Sequence, residues 1–310
     1  MAVTEAWAAS RKAQARRPAR PAAPVRSRLR RGATPWLFVA PALLLFLYFK
    51  FIPMAQAVRM SFQEVRPFLG NTYVGGENYA EITGSSDFGA AVWHTVVLAV
   101  ATTAGSVLLG LALALLLEGQ TRSLWFIRSA IFLPVVTAMA VVAEVWRVMY
   151  YPAEGGALNS VLGLGPSEFL NSPDSSLASI AFVGIWRGAP YDMMIFLAGL
   201  AGVDRVLYEA SAVDGASRWR RIWHVTLPGL RPVFAILLTL AAIRGLRIFT
   251  EVFLLTNGGP DGSTEVLLTL TYKLGLERNE LGVAAAGTVL LFLVLLVLTV
   301  ASRLRRREVR

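Results

Sequence analysis

The chain has 310 residues, 55% of them apolar, 16% charged and none of them cysteine. Water-soluble domains carry about 25% charged residues, so this composition excludes an ordinary soluble protein. The lack of cysteine excludes structural disulfides, thiolate metal sites and a cysteine nucleophile.

The chain opens on a basic tail, residues 1–34, rich in Arg, Ala and Pro (Arg16-Arg17-Pro18-Ala19-Arg20-Pro21). Its apolar surface is too small to pack, so it is expected to be disordered and to lie against anionic lipid. Six apolar stretches follow, near 36–58, 90–117, 129–149, 177–200, 233–255 and 281–302. Each meets the ~20 residues that a helix needs to cross a bilayer. They predict an all-α polytopic membrane domain over 35–303, followed by a short basic tail at 304–310. The first stretch is long and lacks a small-residue cleavage site, so it is expected to be a retained helix rather than a signal peptide.

The basic residues orient these helices. Twenty-one of the 30 Lys and Arg fall in the N-tail, 118–128, 202–231 and the C-tail; four fall in 59–87, 151–175 and 257–280. Lys and Arg mark cytoplasmic segments, so both termini are expected in the cytoplasm. Placement of the +10 net charge in tails and inner loops also argues against nucleic acid as a partner.

The inner segment between the fourth and fifth stretches, residues 203–230, is long for a connector. It predicts a short helix, a turn at Asp214-Gly215 where glycine supplies positive φ, and a second helix running to Trp223 and stopped by Pro228. Small residues at 210, 211, 212, 215 and 216 allow close approach by another protein. Arg218, Arg220, Arg221, Trp219 and Trp223 equally suit an amphipathic anchor at the headgroups. Chemistry alone leaves both readings open.

Ionisable residues at membrane depth are costly and face a partner or a wet cavity. Glu144 with Arg147, and Arg247 with Glu251, are spaced to pair along one helix face; Arg187, Pro190 and Asp192 cluster in the fourth stretch, where Pro190 is expected to kink the helix. Arg187, Tyr191, Asp192, Arg244, Arg247 and Glu251, with Trp186 and Phe249 as stacking aromatics, are the candidate lining of a substrate path.

Glu209-Ala210-Ser211, then Gly215, then Val225-Thr226-Leu227-Pro228, resembles the EAA signature of ABC importer permeases, with Ser211 for the second alanine and Val225 for isoleucine. Leu37-Phe38-Val39-Ala40-Pro41-Ala42-Leu43, Arg128-Ser129-Ala130-Ile131-Phe132-Leu133-Pro134, Thr256-Asn257-Gly258-Gly259-Pro260 and Gly282-Val283-Ala284-Ala285-Ala286 resemble the carbohydrate branch, the maltose and glycerol-3-phosphate permease type. One departure is Thr250 where that branch has aspartate, with a carboxylate one place on at Glu251. The resemblance implies the type I importer fold of six helices in the bacterial inner membrane, with the 203–228 loop as coupling element. Glu209, Ala210, Ser211, Asp214, Gly215, Ala216, Arg218, Leu227 and Pro228 would then meet an ATPase. It also implies a second permease, two ATPase subunits, an external solute-binding protein and a sugar substrate, with ATP and Mg bound by the ATPases and no cofactor by this chain.

Other functions have weaker signals. None of Lys12, Lys50 and Lys273 follows a glycine, so no phosphate-cradling loop is present. An integral membrane enzyme would need a catalytic set; there is no H-E-x-x-H, no G-x-S-x-G and no aspartate-rich metal motif. Within transport, an anionic polyol such as glycerol phosphate is the alternative substrate, and a secondary transporter the alternative mechanism.

Overall fold

The computed structural model describes residues 25–66, 68–119, 121–153, 156–163 and 166–308. The expected disordered tail falls largely on residues 1–24, outside the described residues; α1 begins at Val25, ten residues before the sequence boundary. The chain divides into two units, residues 1–56 and 57–310.

From the first unit α1 (Val25–Phe46) runs into a π-turn (Leu47–Phe51) and on into α2 (Ile52–Met60), whose residues 57–60 belong to the second unit. Pro53 lies just beyond the π-turn. Proline has no N–H and clashes with the carbonyl four residues back; one widened turn absorbs both defects without ending the helix. Trp36, Phe38, Leu44 and Phe49 are all more than half exposed, so this span is apolar on every face. Such a helix meets lipid or another subunit.

After the end of α2 the second unit has a short hairpin, β1 (Gln63–Glu64) against β2 (Thr72–Tyr73), antiparallel with Gln63 opposite Tyr73. After α3 (Glu77–Gly84) comes the central helix α4 (Ser86–Leu116). It packs on α8 (Pro173–Leu200) by interleaving small residues. A Cβ on Gly184 would stand 2.9 Å from Thr102 Cγ2, one on Gly188 3.1 Å from Ser106 Cβ, and one on Gly110 2.9 Å from the Ala189 carbonyl oxygen. Lipid tails are as apolar as leucine, so helices in a bilayer gain by such close backbone approach rather than by hiding apolar surface.

The third expected span is bent. α5 (Arg122–Val136) and α6 (Met139–Met149) meet at 98°. Pro134 removes one hydrogen bond from the last turn of α5, and Thr137 and Ala138 are extended. A short α7 (Ala157–Leu162) follows. By contrast α8 continues through Pro190 to Leu200 as one helix.

Three short helices make the long loop: α9 (Arg205–Val213), α10 (Arg218–Arg221) and, after a π-turn at Ile222–Thr226, α11 (Leu227–Gly229). Pro228 does not stop the second helix as expected. Pro228 again lies just beyond a π-turn, and the break falls at Leu230, with a 67° bend into α12 (Arg231–Leu246). The fifth stretch is not one helix to 255 either: α12 ends at Leu246 and α13 (Thr250–Leu255) starts after a gap of three residues. Gly245 near the end of α12 lowers the cost of stopping there. α14 (Leu267–Tyr272) and α15 (Leu281–Glu308) complete the unit.

Among the described residues four helices are long and apolar enough to cross a membrane, and six spans result if each bent pair counts as one. Three apolar clusters hold the second unit, centred on Leu98, Trp146 and Ile180, on Val107, Phe196 and Leu237, and on Ile82, Leu270 and Val283.

Candidate functional site

The 204–229 loop builds itself from local hydrogen bonds. The Asp204 side chain accepts from the Val206 N–H (3.0 Å), capping α9. At the other end Asp214 is the cap and Gly215 takes φ +70°. The Gly215 N–H donates to Ala212 O (3.1 Å) and the Ala216 N–H to Ser211 O (2.9 Å), the Schellman pattern that closes a helix on a left-handed residue. The Ser217 hydroxyl caps α10. The two arms are fastened where the Tyr208 and Thr226 hydroxyls meet at 2.9 Å, with Thr226 buried in the π-turn.

What this frame presents is open surface. Glu209, Ala210, Asp214, Gly215, Arg218 and Pro228 are exposed; Ser211, Ala216 and Leu227 are half-buried. Val206, Leu207 and Val213 are exposed too, Val213 by 89%. An ideal Cβ on Gly215 meets nothing of this chain within 4 Å. An apolar helix face, a carboxylate at Glu209 and a guanidinium at Arg218 thus stand together without cover from the chain.

A second feature lies inside the helices. A cavity of ≈480 Å³ opens between α4, α8, α12 and the α12–α13 gap, lined by Arg187, Gly188, Tyr191, Arg244, Arg247 and Glu251 among others. Arg244 Nη2 donates to both oxygens of Asp192 (3.2 and 3.0 Å) and to the Ser106 hydroxyl (3.2 Å). Asp192 itself is 1% exposed and sits behind the wall. The Arg244 guanidinium lies 5.6 Å from the Tyr191 ring centroid, a cation–π contact. Arg187 Nη1 is 3.5 Å from Glu251 Oε1, bridging α8 to α13.

Five of the eight pathway candidates therefore line this cavity: Arg187, Tyr191, Arg244, Arg247 and Glu251; Asp192 supports it. Trp186 and Phe249 lie elsewhere. Trp186 packs on Trp146 at 5.4 Å, and Phe249 stacks on Phe253 at 5.2 Å. Arg247 and Glu251 do not pair along one helix, because the gap after Leu246 separates them and Glu251 turns to Arg187. Glu144 and Arg147 do pair, at 2.9 Å, and Arg147 Nη2 also reaches the Leu254 carbonyl. Sequence reasoning missed Ser106 and the glycines that let α4 approach, although their four-residue spacing was visible. Among the described residues no group of three His, Asp or Glu is placed to hold a metal.

Residues 106–310 match the family described as "Binding-protein-dependent transport system inner membrane component". The chain is 33% identical over 278 residues to the arabinooligosaccharides transport system permease protein AraP of Bacillus subtilis, covering 87% of each chain. It is 29% identical over 268 residues to the trehalose/maltose transport system permease protein MalF of Thermococcus litoralis, covering 86% of this chain and 90% of that one. Among solved structures it superimposes on a chain of a bacterial ABC transporter involved in the import of the acidic polysaccharide alginate. That likeness has a TM-score of 0.78 at 26% identity, over 91% of this chain and 99% of that one.

Proposed function

Because this chain belongs to the family of binding-protein-dependent transport system inner membrane components, we propose that it is the permease subunit of an ATP-driven importer that carries a saccharide. The observation that carries the substrate class is the 33% identity to an arabinooligosaccharide permease, sustained over 87% of both chains. The proposed path passes through the cavity bounded by Arg187, Tyr191 and Arg244.

In this reading the chain is not itself an enzyme; ATP and Mg are bound by two partner ATPases. The face of α9 carrying Glu209 and Val213 seats in one of them, and an exposed carboxylate there suits a charge-assisted bond from a partner arginine. A second permease completes the pathway, and an external binding protein delivers the sugar. Closure of the ATPase pair is transmitted through the 204–229 loop to α12, which follows the loop directly. That closure shifts the helices between states of different access. The excess of Lys and Arg in this loop and both tails supports a cytoplasmic position for all three.

The test is reconstitution of the whole complex in proteoliposomes with radiolabelled oligosaccharides. Accumulation should require both ATP and the binding protein. Uptake driven by an ion gradient without ATP would overturn the reading in favour of a secondary transporter.

A further inference from the structure

Resting on the saccharide reading above, we propose that the cavity selects an acidic saccharide, one bearing a carboxylate, over a neutral one. The donors and acceptors in its wall carry the argument. Both carboxylates near it are already engaged: Asp192 accepts from Arg244, and Glu251 faces Arg187. A neutral sugar is an array of hydroxyl donors as well as acceptors, and the carboxylate that lines this wall, Glu251, is shared with Arg187. Nor is the Tyr191 ring fully open for stacking, since the Arg244 guanidinium lies against it.

The unused valences are cationic. Every hydrogen bond of Arg244 leaves from Nη2, and among the described residues Nη1 and Nε have none. Arg244 is nevertheless 41% exposed and lines the cavity. Arg187 also lines the cavity with its side chain 31% exposed, its Nη1 lying 3.5 Å from Glu251 Oε1. Arg247 is exposed on the same wall and forms no ion pair among the described residues. Guanidinium edges of this kind match a planar carboxylate with two parallel bonds.

Charge balance narrows the class further. Three guanidiniums, Arg187, Arg244 and Arg247, stand with two carboxylates, Asp192 and Glu251, leaving one positive charge unmatched. One carboxylate neutralises it, whereas a phosphate dianion overshoots. A hexuronate residue in an oligosaccharide fits; a phosphorylated polyol fits less well.

Direct binding to the purified complex, without the binding protein, isolates this wall from the selectivity of its partner. The probes are trigalacturonate, its methyl ester, maltotriose and glycerol phosphate. The acid should bind at least tenfold more tightly than its ester, and the preference should weaken as salt is raised. Arg247→Gln, at an exposed position outside any ion pair, should reduce that preference while leaving the complex intact on gel filtration. Equal binding of acid and ester, or tighter binding of maltotriose, would overturn the acidic preference and leave the saccharide reading standing. Preference for glycerol phosphate over every saccharide would overturn both.

Discussion

Replacement of Gly215 separates the geometry of the loop from its docking. Gly215 sits at φ +70° in the Schellman turn, and an added Cβ meets no atom of this chain within 4 Å. Internal clash is therefore excluded, and the cost within the chain is conformational alone. A Cβ in the left-handed region costs about 1–2 kcal/mol, which lowers the share of loops with the correct turn by about five- to thirtyfold. Asparagine visits this region readily, so Gly215→Asn keeps the turn while adding bulk to the exposed face. Gly215→Ala adds strain with little bulk, and Gly215→Trp adds both. If the face seats in an ATPase, Asn should be no better than Ala, and Trp should reduce uptake to background. The complex should keep its normal stoichiometry, and ATP hydrolysis should stop responding to loaded binding protein. If the turn alone matters, Asn should restore near wild-type uptake. Wild-type transport by Gly215→Trp in a fully assembled complex would refute the docking role altogether.

Other positions give independent checks. Gly245→Ala brings a Cβ to 2.7 Å from Ala99 Cα, so α4 and α12 must part; overpacking costs about 1–3 kcal/mol, and an unchanged thermal midpoint of the purified complex would contradict that contact. Tyr208→Phe removes the bond that fastens the two arms of the loop and leaves the buried Thr226 hydroxyl unpaired. Ligand-stimulated ATPase should fall and loop proteolysis should rise, whereas Thr226→Ser should behave as wild type. Lys273→Met strands the Glu265 carboxylate, which is 8% exposed; breaking such a pair costs about 3 kcal/mol. Membrane abundance should drop, and adding Glu265→Gln should recover it in part. A cytoplasm-only reporter should work at the C-terminus and at Gly119 and stay silent at Gly262; activity at Gly262 would reverse the assigned orientation.

The apolar stretches were legible because a lipid-crossing helix must be predominantly apolar over about 20 residues, whatever it touches. The breaks at Thr137-Ala138 and after Leu246 were not, because neither carries a proline or glycine at the break itself and apolar residues resume beyond each. A four-residue spacing such as Arg247 to Glu251 predicts a contact only on an unbroken helix, and the gap sent Glu251 to Arg187. The turn at Gly215 was readable because its cause is local: a small residue after a capping aspartate. The direction of the Trp186 ring depends on Trp146, distant in sequence, whereas Phe249 meets both Phe253, four residues on, and the distant Tyr272. Arg244 likewise seats on Ser106, 138 residues away.

The 204–221 segment is closed largely by its own hydrogen bonds. Caps at Asp204 and Ser217 and the Schellman bonds at Gly215 satisfy backbone groups at its helix ends without help from the membrane helices. Apart from its chain ends, the tether across its arms is the Tyr208 hydroxyl. Its exposed residues are accordingly free to vary without disturbing the packing of α4 on α8. If the segment docks on an ATPase as proposed, it is portable: grafted between permeases that keep a threonine at the equivalent of Thr226, it would carry its choice of ATPase with it and leave the choice of cargo behind.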